Sequence, residues 1–266
     1  MLQQEGTRNL ARFISVAHEN GLKVPFVHLN SWNASSIWEK SDTQKDYLNQ
    51  TNDSIKICGQ NGVETVILHA ANKSISTVYE PNQTGIDCMN QLLETAEKSN
   101  IKIALENLDD KYFEHFEYLL EKINSKNFGF CFDSGHWHLY QPEVDLLGKY
   151  GNRLMAVHLQ SNTGKQELQA SRRLSNDLHL LPFDGHVDFE KVAKGIASSI
   201  YKGPIMIEST RKRYKEDHLE NYYPGIPPEQ FLKEAHTRAQ RLSAMILDFR
   251  KSIYISGAGE DNGVVF

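Results

Sequence analysis

The chain is poor in the features that mark secreted, membrane or nucleic-acid-binding proteins. Its 266 residues include only three cysteines, Cys58, Cys88 and Cys131, with no CxxC pair. An odd count without paired spacing gives no disulfide framework and reads as reduced thiols in a cytoplasmic protein. No apolar run approaches the roughly 20 residues of a membrane span. The opening stretch, MLQQEGTRNLARF, has no apolar segment of the kind a secretory signal needs. Positive charge is also short: the formal net charge is −5. That balance counts against nucleic acid as the main partner and favours a small-molecule ligand. There is no tandem repeat, no low-complexity tract and no linker composition. A single domain over 1–250 with a tail at 251–266 is therefore expected, long enough to bury a sizeable core.

What the chain does have is alternation. Apolar residues recur at helical spacing over 4–20, 85–99 (Ile86, Met89, Leu92, Leu93, Ala96) and 110–124. Further helices are expected from Asp42 to about Asn61, near 142–150, over 189–201 behind Asp188, and from Pro228 to about Phe249. Between them lie six short, almost continuously apolar runs, at 24–30, 63–71, 102–107, 128–132, 154–160 and 205–209. Strands alternating with helices imply a parallel sheet, and continuous apolarity implies strands covered on both faces. The tail carries one β-like run, SIYIS. Residues 161–187 read as a long loop, which in a compact domain is usually functional or disordered.

Ionisable residues collect near the C-terminal ends of these runs: His28, His69, Glu106, Asp133 with His136, His158, and Glu208. In FGFCFDSGHWH the apolar run stops at Asp133, Ser134 and Gly135 read as a turn, and His136 follows. Asp177 and His179 join from the long loop. One histidine at a strand end is more often structural than a ligand. The set differs, because strand ends of a barrel converge on one mouth and crowded carboxylates repel unless protonated or bound to a cation. Imidazole and carboxylate donors without thiolate suit zinc or manganese, and also magnesium, cobalt or iron. Glu106, Asp133, His158 and Glu208 are the expected ligands of one divalent cation, with Glu106 and Glu208 also able to transfer a proton.

The segments FVHLN, VILHAAN, IALEN, FCFDSGH, VHLQ, DLHLLPFDGHVDF and IMIES resemble the xylose-isomerase-like barrel superfamily, over roughly residues 5–250. That superfamily contains the sugar epimerases and the type IV AP endonucleases. The resemblance implies a TIM-like (β/α)8 barrel. The helix at 4–20 is similar to the family's second helix, so the first two strands have no counterpart in this chain: either the chain is a truncated form, or SIYIS and a partner chain fill the gap. An unpaired sheet edge of that kind is a liability for a monomer, so a homo-oligomer is an expected arrangement. The Glu106, Asp133, His158, Glu208 quartet matches the family's shared metal site. In the endonuclease branch His28, His69 and Glu106 would match one zinc, and His136, Asp177 and His179 another. The DxGH and DxHLLPxDGxxDF wording is instead that of proteins called sugar phosphate isomerases or epimerases, and HAAN and ENLDD depart from the endonuclease pattern. The resemblance thus implies a metal-dependent isomerase or epimerase of a small sugar or sugar phosphate, with a zinc-dependent AP endonuclease second and a non-catalytic ligand-binding barrel third. On the first reading His28, His69, His136, Asp177 and His179 bind a second cation or the substrate.

Two further residues are candidates for the substrate. Trp32, just past a strand end, has the form of a cover for a sugar face. Arg211, in a basic and aromatic stretch at 210–227, follows the last strand, where barrels often grip phosphate or carboxylate.

Overall fold

A computed structural model describes residues 2–29, 31–72, 79–164, 177–215 and 218–260. They gather into two compact units, Met1–Cys131 and Phe132–Phe266. The first unit opens on helix α1 (Leu2–Glu19), followed by strand β1 (Phe26–His28) and a 3-10 turn at Ala34–Trp38. Then come α2 (Asp42–Gln60), β2 (Thr65–Leu68), α3 (Gln83–Lys98), β3 (Lys102–Glu106), α4 (Asp110–Lys122) and β4 (Phe128–Asp133), whose last two residues open the second unit.

In the first unit the strands pair in parallel in chain order. His28 lies opposite Ile67, Leu68 opposite Leu105, and Glu106 opposite Cys131. Every residue of β2 and β4 is buried, which explains why these strands read as unbroken apolar runs rather than alternating ones. The helices bury one stripe each. On α3 the stripe is Ile86, Met89, Leu92, Leu93 and Ala96, as the helical spacing predicts. Met89 and Leu92 are fully buried. Burial of side chains of that size stabilises the fold by about 1.5–3 kcal/mol each. Caps set the helix starts: Ser41 Oγ accepts from Gln44 N at 3.1 Å, and Asn82 Oδ1 from Thr84 N at 2.9 Å. Gly62, with φ at 74°, turns the chain out of α2 in a left-handed conformation that disfavours other residues.

The second unit holds α5 (Ser134–Tyr140), α6 (Leu146–Tyr150), β5 (Leu154–His158), α7 (Phe189–Ser198), an antiparallel pair β6 (Lys212–Lys215) and β7 (His218–Asn221), and the long helix α8 (Pro228–Glu260). Asp188 caps α7, accepting from the backbone N–H of Glu190 and Lys191, and α7 packs on α8. The chain beyond β5 pairs in parallel through Leu159 and Ile207, and in antiparallel through Ser161 and Leu180.

Two expectations are corrected. Ser134 and Gly135 do not form a turn; they begin α5, because Asp133 accepts a hydrogen bond from His136 N at 2.7 Å and so acts as an N-cap. SIYIS is not a strand: residues 252–256 continue α8, where helix propagation overrides the β-branched preference of Ile253 and Ile255. The basic stretch at 210–227 contains β6 and β7. Among the described residues the 205–209 run forms a single bridge rather than a full strand, Ile207 opposite Leu159, with Leu159 N donating to Met206 O and Glu208 N to Leu159 O. Asn30, residues 165–176 of the long loop, and 216–217 lie outside the described residues.

Gly85 sits where α3 crosses Trp38. An added Cβ would fall 2.2 Å from the Trp38 ring, and Trp38 is anchored by its Nε1–H donating to Ala70 O at 2.8 Å. Gly85→Ala is expected to destabilise the protein by about 1–3 kcal/mol through overpacking, read as a lower denaturant midpoint at unchanged slope.

Candidate metal centre

In the first unit three neighbouring parallel strands deliver three donors to one place. His28 ends β1, His69 follows β2, and Glu106 ends β3. The register aligns these ends, so the side chains meet. His28 Nε2 lies 2.9 Å from Glu106 Oε2 and 3.0 Å from His69 Nε2, and His69 Nε2 lies 3.3 Å from the same oxygen. His28 Nδ1 is 2.9 Å from Leu29 O, a carbonyl that can only accept. Nδ1 therefore carries the proton, and a neutral His28 points its Nε2 lone pair at the other two residues. Two imidazole nitrogens and a carboxylate oxygen this close need a proton or a cation between them. A backbone carbonyl fixing the far ring nitrogen is also how metal-ligating histidines are usually oriented.

The second unit holds two more donor sets. Asp133 ends β4, His158 ends β5, and Glu208 follows the Ile207 bridge; each brings one donor atom within 4.8 Å of the others. His158 Nδ1 is 3.1 Å from Glu208 Oε2. Asp133 and His158 are buried, whereas the Glu208 side chain is 34% exposed. The other set is His136, Asp177 and His179, whose donor atoms also lie within 4.8 Å of one another. His179 Nε2 is 3.1 Å from Asp177 Oδ2, and His179 Nδ1 is 3.1 Å from Glu208 O, so each ring nitrogen faces an acceptor. His136 Nε2 lies 3.7 Å from Asp177 Oδ2.

Electrostatics in this set are strong. Burial alone would raise the Asp177 carboxyl, but hydrogen bonds from His136 and His179 outweigh it and hold the group well below the usual carboxylate range. Burial alone would lower His179. Its hydrogen bond to Asp177 and the charges of Asp177, Asp133 and Glu208 instead push it up to about 9. His179 also sits at φ 49°, in the left-handed region, a backbone strain common at functional sites.

Trp32 is 72% exposed and precedes the 3-10 turn of the first unit. Arg211 is half-buried, and its Nη1 donates to Ile226 O at 3.0 Å. Sequence reasoning missed the buried polar run that follows β5. Gln160, Ser161 and Asn162 are all fully buried. Gln160 Nε2 donates to Asp133 Oδ1 and Asp177 Oδ1, and Asn162 Nδ2 donates to Gly135 O. The available signal was three consecutive polar residues beginning two positions after a strand-end histidine, in HLQSN.

Donors gathered at the C-terminal ends of buried parallel strands, each strand followed by a helix, define the α/β-barrel class. The family model described as xylose isomerase-like TIM barrel matches residues 2–236, and the chain belongs to that family. Among curated proteins, an inosose dehydratase of Clostridium botulinum (strain Alaska E43 / Type E3) is 31% identical over 112 residues, covering 39% of this chain and 36% of that one. The chain spans less than half the length of the curated relatives it matches. Among solved structures, D-psicose 3-epimerase with D-tagatose from Clostridium cellulolyticum H10 superposes with a TM-score of 0.68 at 13% identity, covering 90% of this chain and 84% of that one. The IolI protein with a bound zinc atom gives 0.59 at 16% identity, covering 92% and 82%. At these identities the structural likeness establishes the fold.

The donor chemistry fits a divalent cation. All ligand atoms are imidazole nitrogen or carboxylate oxygen, and two carboxylates, Asp133 and Glu208, face the same small space. Manganese or zinc at about 100 times its dissociation constant is expected to stabilise the protein by about 2.7 kcal/mol. Thermal melting with and without chelator reads this, and Asp133→Asn is expected to reduce the difference.

Proposed function

We propose that the protein is a metal-dependent isomerase or epimerase of a small sugar or sugar phosphate. Asp133, His158 and Glu208 would hold one divalent cation. Zinc and manganese suit these donors best. When bound, such a cation polarises the substrate carbonyl and lowers the cost of removing the proton beside it. Glu208 carries this reading, because it is the one carboxylate of the Asp133, His158, Glu208 set with substantial exposure, at 34%. It accepts the proton alpha to the carbonyl and can return it to the same carbon or its neighbour. His28, His69, His136, Asp177 and His179 bind sugar hydroxyls or a second cation. Trp32 covers the apolar face of the ring, and Arg211 meets a phosphate or carboxylate.

The relatives support the class of chemistry. Epimerisation beside a carbonyl and dehydration beside a carbonyl both begin by removing the alpha proton, so an inosose dehydratase and a D-psicose 3-epimerase share a first step. One observation favours a second reading, a zinc phosphodiesterase of the type IV AP endonuclease class. The histidines and carboxylates form separate donor groups, including His136, Asp177 and His179, rather than one. The net charge of −5 opposes a polyanionic substrate.

Metal-loaded protein incubated with a panel of ketoses in deuterated water is expected to exchange the alpha hydrogen without nicking an abasic duplex. Glu208→Gln is expected to slow exchange by about 10²–10⁴-fold. Nicking without exchange would replace the first reading with the second. Neither activity would leave a ligand-binding barrel.

A further inference from the structure

We propose that Gln160 is a positioning residue that ties Asp133 to Asp177, so that the two donor sets of the second unit are ordered together. The inference rests on the cation reading above. Gln160 lies two residues past the His158 end of β5 and is fully buried. Its Nε2 is 3.2 Å from Asp133 Oδ1 and 3.3 Å from Asp177 Oδ1. A carboxamide nitrogen has two N–H groups, so one atom serves both carboxylates, and the opposite amide orientation would set a carbonyl against them. Asp133 Oδ1 also accepts from His136 N at 2.7 Å. Both bonds fall on one oxygen, which fixes the plane of the carboxylate and hence the direction of its ligand lone pairs.

The surroundings are built to hold this amide. Gln160 N donates to Ser134 Oγ at 3.0 Å, and Ser134 Oγ donates back to Gln160 O at 2.8 Å, which locks the backbone at the base of the side chain. Gly135 gives it room: a Cβ there would fall 2.1–2.2 Å from the Gln160 carboxamide atoms. Among the described residues Gln160 Oε1 accepts no hydrogen bond although it is buried. An unsatisfied buried acceptor is costly, which speaks for a role beyond stability. A neutral double donor suits the place. A glutamate would add a third carboxylate, and an aliphatic residue would leave both aspartates without this restraint.

The test compares wild type, Gln160→Leu, the isosteric Gln160→Glu, and Gln160-retaining Gly135→Ala, each stripped with chelator and checked for cooperative melting. Cobalt(II) is then titrated by calorimetry and by its visible absorption. Loss of such an orienting partner is expected to weaken cation affinity by about 10–100-fold. Both Gln160 variants should show this loss with altered cobalt absorption, and Gly135→Ala, whose Cβ displaces the amide, should show part of it. Wild-type affinity and absorption in the folded variants would overturn the inference while leaving the cation reading intact. Wild type that binds no cobalt would remove that reading, and the inference with it. If a Gln160 variant fails to melt cooperatively, Gly135→Ala decides between the first two results.

Discussion

The structure turns on one electrostatic constraint. Asp133, fully buried at the end of β4, has a carboxylate oxygen within 4.8 Å of one from Glu208. Two unit charges at that separation repel by roughly 3 kcal/mol or more at an effective dielectric of about 20. Burial of Asp133 raises the cost further. A fold does not retain that arrangement for stability alone; it needs a proton or a cation to compensate. The imidazole of His158, 3.1 Å from Glu208, is a third donor aimed at the same space. Elsewhere a single carboxylate meets two imidazoles: Glu106 with His28 and His69, and Asp177 with His136 and His179.

These side chains meet because of where parallel strands end. In the first unit each donor sits at or just past the C-terminal end of a strand, and parallel pairing puts those ends on one side; in the second, Asp133 and His158 end β4 and β5, while Asp177 and His179 come from the loop that follows β5. β1, β2 and β3 show it most directly, since their register sets His28, His69 and Glu106 side by side. Interlocking polar contacts then hold the following turns: Asn162 to Gly135, Ser134 to Gln160, and Gln160 to both aspartates. Further out, Tyr223 O–H donates to Asp184 while its oxygen accepts from Leu181 N, and Arg238 clamps Asp184 and Pro182 O. That network pins the segment that follows His179.

Much of this was legible in the sequence, for definite reasons. Strands buried on both faces appear as unbroken apolar runs, so β2, β3, β4 and β5 were found and their polar ends with them. The stripe on α3 was readable because period 3.6 is conspicuous over four turns. Three things were hidden. The capping role of Asp133 masked α5, because Ser134 and Gly135 are poor helix formers and resemble a turn until the His136 N–H is seen bonded to the carboxylate. SIYIS has strand-forming residues, but they follow a long helix that continues through them with Tyr254 and Ile255 exposed. Gln160 carries no charge and is not a histidine, cysteine or carboxylate, so ionisable residues at strand ends do not point to it. Its importance comes from two distances that only the fold supplies.

Anomalous diffraction from crystals soaked in zinc or manganese would read out whether Asp133, His158 and Glu208 are held together to bind a divalent cation, as proposed above. The expected result is a peak bonded to carboxylate oxygens of Asp133 and Glu208 and a ring nitrogen of His158, for zinc at about 2.0–2.2 Å. Crystals that keep these three side chains in place and show no peak among them, at saturating metal, would contradict it.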